Sequence, residues 1–180
     1  MVIEGEKINL RRVKPADFDK IIKWSENKKL AYFAGERLPK DKQECIKRYQ
    51  RTSSLFNIIF AIEDKGGNFL GEIELDHIQW KNRMAELFLY IGEENLWGKG
   101  YGSDALNTFI QYIYKENKID IIYLRVYQNN KRAIRCYQKC GFKQKGVLKL
   151  NERYFSSDNL ILMDLNIPAF INSKKELAFF

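Results

Sequence analysis

Three glycines alternate in Trp97-Gly98-Lys99-Gly100-Tyr101-Gly102, and a helical pattern begins at Ser103. Without β-carbons, the backbone N–H groups of such a loop stay uncovered and can converge on an anion. The helix behind it adds its own unpaired N-terminal N–H groups and positive dipole end, so the chemistry on offer is the binding of a phosphate or diphosphate. A tight turn is the plainer use of the same pattern. Two familiar phosphate loops do not fit. A P-loop places Ser or Thr directly after its Gly-Lys, whereas Lys99 is followed by Gly100; the dinucleotide fingerprint wants a glycine three positions after the second, where Ser103 stands.

Such a loop has to be held between a strand and a helix. Ala85–Gly92 has strand character, and Ser103–Asn117 places Ala105, Leu106, Phe109, Ile110 and Ile113 at helical intervals, so one side of that helix packs on a sheet. Upstream, Ile8–Val13 reads as a strand stopped by Lys14-Pro15, and Ala16–Asn27 as a helix. Pro39 opens a second helical stretch to about Arg51. Phe56–Glu63 and Asn68–Trp80 pair as a hairpin through Lys65-Gly66-Gly67, and a short turn at Lys81–Arg83 leads into Ala85–Gly92. Downstream, Ile119–Tyr127 is β-type, Asn129–Cys140 is helical and stops at Gly141, and Phe142–Leu148 and Leu160–Leu165 close the sheet. The order specifies an α/β domain with a mixed sheet over residues 1–167, followed by a tail, 168–180, to which no role attaches.

The chain has 180 residues and 45% hydrophobic content, enough for one sizeable core, and no repeat or Gly/Ser/Pro linker divides it. Its apolar runs are far shorter than the ~20 residues a bilayer span needs. Three cysteines, Cys45, Cys136 and Cys140, lack the spacing of a secreted framework, and Met1–Lys14 carries charges where a signal peptide needs an apolar run, which places the protein in the cytoplasm. A net charge of +8, with basic residues thickening between Lys131 and Lys149, suits an anionic partner or a solvated lysine-rich surface. No nucleic-acid-binding module accompanies it. His77 is the only histidine and has no companion ligands, so no metal site is expected.

The loop resembles the pyrophosphate-binding motif of the GCN5-related N-acetyltransferases (GNAT): Gln or Arg, two residues, Gly, one residue, then Gly or Ala. Trp97 replaces the Gln or Arg, and the wording Trp-Gly-Lys-Gly-Tyr is similar to that of the RimJ/RimL-like branch. Asn130-Lys131-Arg132-Ala133, Cys136-Tyr137 and Cys140-Gly141-Phe142 resemble the family's second signature, in the right order and one helix and one strand away. The likeness runs from about Ile8 to Leu165.

The resemblance implies a mixed, mostly antiparallel sheet of about seven strands flanked by about four helices, with Ala85–Gly92 and Ile119–Tyr127 splayed apart. Acetyl-CoA is the implied cosubstrate. Its pantetheine arm would bond to the edge at Leu89, Tyr90 and Ile91, and its diphosphate would rest on Trp97, Gly98, Lys99, Gly100, Tyr101, Gly102 and Ser103. Asn130 matches the family asparagine at the cofactor wall, while charge alone places Lys131, Arg132 and Arg135 against the 3′-phosphate. Tyr137 matches the tyrosine that protonates the departing thiolate, although its helical face equally suits core packing. Glu86 matches a glutamate of RimL-like enzymes and is the expected base, with Glu72, Glu74, Asp76 and His77 nearby and a water relay as the other route. The acceptor pocket would come from Trp24–Arg51, including Glu36, and from the turn Lys149–Asp158. The implied acceptor is a primary amine: the α-amine of a protein N-terminus by the RimL likeness, or a polyamine or aminoglycoside by the acidic residues. A homodimer is compatible with this reading. A cofactor-binding sensor without transfer, and a basic ribosome-associated protein whose loop is only a turn, are the alternatives. Cys136 and Cys140 read as packed small residues.

Overall fold

The computed structural model describes residues 1–34, 37–49, 57–116, 119–149 and 159–177. In chain order the elements are β1 (Val2–Glu4), β2 (Ile8–Arg11), a short 3-10 turn at Pro15–Asp17, α1 (Phe18–Ser25), α2 (Lys28–Ala34) and α3 (Lys42–Tyr49). Then come β3 (Ile58–Asp64), β4 (Phe69–Gln79), β5 (Met84–Ile91), α4 (Tyr101–Glu116), β6 (Ile121–Tyr127), α5 (Lys131–Lys139), β7 (Lys143–Leu148), β8 (Leu160–Asn166) and α6 (Ile167–Leu177). No helix among the described residues is long and apolar enough to cross a membrane.

Among the described residues eight strands form one sheet in the order β1-β2-β3-β4-β5-β6-β8-β7, every pairing antiparallel except β5 with β6. The strand beyond the expected seven is β1, too short for a periodic signal. The helical stretch Ala16–Asn27 divides into the 3-10 turn and α1. Residues 28–34, to which the sequence assigned no element, form α2, and most of the tail is helix α6. Phe170 and Ile171 of α6 pack against the main core.

The sheet has an apolar cluster on each face. On one, α4 and α5 cover the core: Ala105, Leu106, Phe109, Ile110 and Ile113 are fully buried, as the spacing demands. Burying each of the large side chains contributes about 1.5–3 kcal/mol. On the other face, α1, α2 and α3 bring Ile21, Trp24, Leu30 and Tyr49 over Ile59, Ala61, Phe69 and Tyr90. A buried salt bridge ties this layer to the sheet. Arg11 on β2 donates to both oxygens of Asp17 at 2.7 and 2.9 Å and also pairs with Glu63.

Candidate active site

β5 and β6 are paired only at Met84↔Ile121, Ala85↔Ile122 and Glu86↔Tyr123. Beyond that rung β5 stays on β4 and β6 on β8, so the sheet forks where the family resemblance placed the splay. The Gly92 N–H donates to the Leu70 carbonyl at 2.8 Å, which fixes the phase of the antiparallel ladder. Main-chain groups of Phe88 and Tyr90 therefore face β4, while the Leu87 N–H closes the last β6 rung on the Tyr123 carbonyl and the Leu89 and Ile91 N–H groups face the gap. The Ile91 carbonyl is already taken, accepting from Trp97 Nε1 at 2.6 Å. A cleft of about 430 Å³ occupies the fork, walled by β5, by the loop and α4 N-terminus, by Arg125 and Val126 of β6, and by α2 and α5. Beside the cleft wall at Phe33, Tyr32 and Phe33 of α2 meet Tyr127 of β6, with ring centroids 4.5 and 6.5 Å from it.

At the base of the cleft Gly98 and Gly100 hold φ of 76° and 91°, the left-handed region in which a β-carbon is strained. This turns the loop into the first turn of α4, where Tyr101, Gly102 and Ser103 line the cleft. Asp104 secures the corner: its carboxylate accepts the Glu6, Lys7 and Ile8 N–H groups at 3.2, 2.7 and 3.1 Å. That contact carries Lys7 to the loop, where its Nζ donates to the Lys99 carbonyl at 3.2 Å. The Arg132 guanidinium lies 3.5 Å from the Trp97 ring centre, and Lys29 Nζ 5.0 Å from it. Uncovered N–H groups, a helix N-terminus and the cations Lys7 and Arg132 fit a diphosphate, and the open edge of β5 fits an amide-bearing arm. The Lys99 side chain is exposed and is not among the residues lining the cleft.

Tyr137 is buried in the α5 wall of the cleft, 5.8 Å from the Phe142 ring, so it both packs and faces the fork. Burial pushes its phenol pKa well up, which keeps the proton on Oη at neutral pH. Asn130 caps α5, its Oδ1 accepting the Ala133 N–H at 3.2 Å, and lines the cleft beside Arg132 and Arg135.

Glu86 occupies the last rung before the fork and is buried, one step behind the cleft wall. Arg125 engages both its oxygens, Nε at 2.8 Å and the terminal nitrogen at 3.0 Å; Arg37 stands 3.7 Å and His77 Nδ1 3.5 Å away. A carboxylate held this way has to share or release a guanidinium before it can take a proton. Cross-strand pairing puts Glu72 opposite Tyr90, Glu74 opposite Phe88 and Asp76 opposite Glu86, so all four acids share one sheet face, as alternation within each strand required. Arg48 pairs with Glu74 at 2.6 Å, and Tyr49 donates to Glu72. Burial pushes the Glu72 carboxyl up to about 7. His77 holds φ of 50° at an irregularity of β4, with Nδ1 3.3 Å from Asp76. Among the described residues no group of side chains has the makings of a metal site. Glu36 and residues 150–158, expected at the acceptor pocket, lie outside the described residues. Lys7 at the loop, and Arg125 and Phe33 at the cleft, were not legible, because each gets there only through tertiary contacts.

A family model described as an acetyltransferase (GNAT) domain matches residues 7–143, from the start of β2 to the start of β7. The chain belongs to the GNAT acetyltransferase family. Among its relatives is the spermidine N(1)-acetyltransferase of Vibrio cholerae serotype O1, 33% identical over 99 residues, which are 53% of this chain and 57% of that protein. The spermine/spermidine N(1)-acetyltransferase of Bacillus subtilis strain 168 is 38% identical over 71 residues, 39% of this chain and 47% of the relative. The chain thus spans about half the length of the curated relatives it matches. The crystal structure of spermidine N-acetyltransferase from Vibrio cholerae in complex with CoA and spermine superposes with a TM-score of 0.82 at 23% identity. It covers 93% of this chain and 99% of that one, a likeness of fold. These GNAT relatives are polyamine acetyltransferases by name and do not single out the RimJ/RimL-like branch.

Proposed function

We propose that this GNAT domain transfers the acetyl group of acetyl-CoA to a primary amine of a polyamine such as spermidine or spermine. The observation that carries the transfer reading is the fork: an open β5 edge leading from the glycine loop at α4 to a buried tyrosine. When bound, acetyl-CoA supplies a thioester carbonyl open to attack and a thiol as leaving group. Around it, Gly98–Ser103 receive the diphosphate with Lys7 and Arg132, and the gap-facing Leu89 and Ile91 N–H groups hold the arm. One of those N–H groups stabilises the oxygen on which negative charge develops. Tyr137 Oη donates its proton to the departing thiolate.

A polyamine is favoured over a peptide N-terminus by two independent supports. The Vibrio and Bacillus relatives of this chain are named for spermidine and spermine as acetyl acceptors. The sheet face beside the fork is acidic, with Asp76 and Glu86 at its apex, and the aromatic end at Tyr32, Phe33 and Tyr127 can pack the methylene stems between ammonium groups. Glu86 and Asp76 are the acids at the apex of the fork; Glu86 takes the ammonium proton, directly or through water, as Arg125 is displaced or shared. Aminoglycosides offer the same ammonium chemistry on a bulkier body. Thiol release in the presence of spermine, spermidine, an aminoglycoside and N-terminal peptides tests the reading. Turnover is expected with the polyamines; release only with the peptides would overturn the acceptor assignment, and no acetyl-CoA binding by calorimetry would overturn the transfer reading.

A further inference from the structure

The two cysteines of α5 remain without a role, and their surroundings are unlike those of Cys45, which is fully buried with its thiol pushed up to about 11 by desolvation. Cys136 lines the cleft, and its Sγ is 3.3 Å from Ser103 Oγ in the first turn of α4. It therefore sits at the positive end of that helix, with Arg132 one turn behind it on α5. Cys140 is buried, and its Sγ lies 3.7 Å from the Ser103 carbonyl. Both thiols thus meet at one residue, one helical turn apart on α5. The neighbouring Cys140 thiol, with Ser103 and Arg132, draws the Cys136 thiol down to about 7. A partly exposed, electropositive setting of this kind is where thiols react.

We propose that Cys136 is an oxidation site for peroxides, that Cys140 is its resolving partner, and that a cofactor diphosphate in the same corner protects it. The protection rests on the acetyl-CoA reading; the oxidation does not. The Cys136 thiolate attacks one peroxide oxygen, an S–O bond forms and the O–O bond breaks. The departing hydroxide takes a proton and leaves as water, and Cys136 becomes a sulfenic acid. Loss of the thiolate removes the negative charge that holds the proton on Cys140. Cys140 then attacks the Cys136 sulfur, an S–S bond forms, the S–O bond breaks, and the hydroxide leaves as water with the Cys140 proton. Overall, two thiols and one peroxide give a disulfide and two waters. Residues four apart on a helix are about 6 Å apart along its axis, within the Cα separation a disulfide spans. Cys140 closes α5 just before Gly141, whose φ of 92° ends the helix, so the last turn is where adjustment is easiest.

The diphosphate excludes peroxide from the corner and, as an anion, raises the thiol's proton affinity. The test treats the full chain with hydrogen peroxide, with and without saturating acetyl-CoA, followed by thiol blocking and tryptic digestion. The joined peptides 136–139 and 140–143 are expected, separating on reduction, with Cys45 unmodified. Their rate of formation should fall about tenfold or more with acetyl-CoA, as expected when a reactive thiol is covered. Cys140→Ser should stop at a sulfenic acid that dimedone traps on Cys136. Absence of both the joined peptides and the dimedone adduct overturns the oxidation site, and a rate indifferent to bound cofactor overturns the protection. Calorimetry on the reduced protein is run alongside. No binding there overturns the acetyl-CoA reading and the protection with it, while the cofactor-free arm still decides the oxidation.

Discussion

At the scale of single residues, Tyr137 and Gly100 divide the proposed chemistry from the proposed binding. Tyr137 Oη keeps its proton because the ring is buried, so its removal should be felt at the leaving group alone. Tyr137→Phe is expected to lower kcat about 100-fold, at the lower end for a general acid, with acetyl-CoA affinity unchanged in calorimetry. Unchanged turnover would take Tyr137 out of the reaction. Gly100 works through its backbone: its φ of 91° is the problem for any side chain, since an added β-carbon would meet only the flexible Lys7 side chain, nearest at Nζ, 3.4 Å away. In a β-branched residue that conformation is a true outlier. Gly100→Val should therefore weaken acetyl-CoA binding more than tenfold, or about 1.4 kcal/mol, while circular dichroism stays native. Wild-type affinity in the folded variant would remove the loop from the cofactor site. The places of both residues, on a helix and in a glycine turn before a helix, were legible from local spacing, while their roles came from the family resemblance. Glu86 was legible as an acid on the right strand, but its engagement by Arg125, 39 positions away, was not.

At the scale of elements, a buried ion pair at the start of α1 helps to fix the helical layer over the acidic face. Asp17 receives two hydrogen bonds from Arg11 and a third from the Lys14 N–H at 2.7 Å, and both charged side chains are nearly inaccessible. Removing one partner of such a pair leaves the other charge buried. Asp17→Ala should destabilise the fold by about 3 kcal/mol, read as a lowered urea midpoint with an unchanged slope. A loss below about 1 kcal/mol would mean that Glu63 satisfies Arg11 alone. Helix α4 was foreseen because its apolar stripe repeats at helical intervals over sixteen residues. Helix α2 and strand β1 were not: seven and three residues carry too little periodicity, and packing on α1 and pairing with β2 decide them.

At the scale of the whole molecule, the buried Glu72 should leave a signature in stability against pH. Burial lifts its folded-state pKa from 4.5 to about 7, so the folded protein holds a proton that the unfolded chain has released. Stability from this group is present below about pH 4.5 and is lost as pH rises toward 7, opposite to an ordinary ion-paired carboxylate. Glu72→Gln should gain up to about 3 kcal/mol on wild type between about pH 4 and pH 8, measured by denaturant unfolding at both ends. A difference independent of pH would show that Arg48 and Tyr49 offset the burial fully.

Local order in the chain determined the alternation of strands and helices, the glycine loop at a helix start and the tyrosine on α5, because each depends on neighbours within a few residues. Tertiary structure alone decided that Lys7 reaches the loop, that Arg125 holds Glu86, and that four acids from two strands share one face with α2 aromatics across the cleft. Those contacts join residues dozens of positions apart. Their selection lies in strand register and helix packing, which the periodicity of any one segment does not encode.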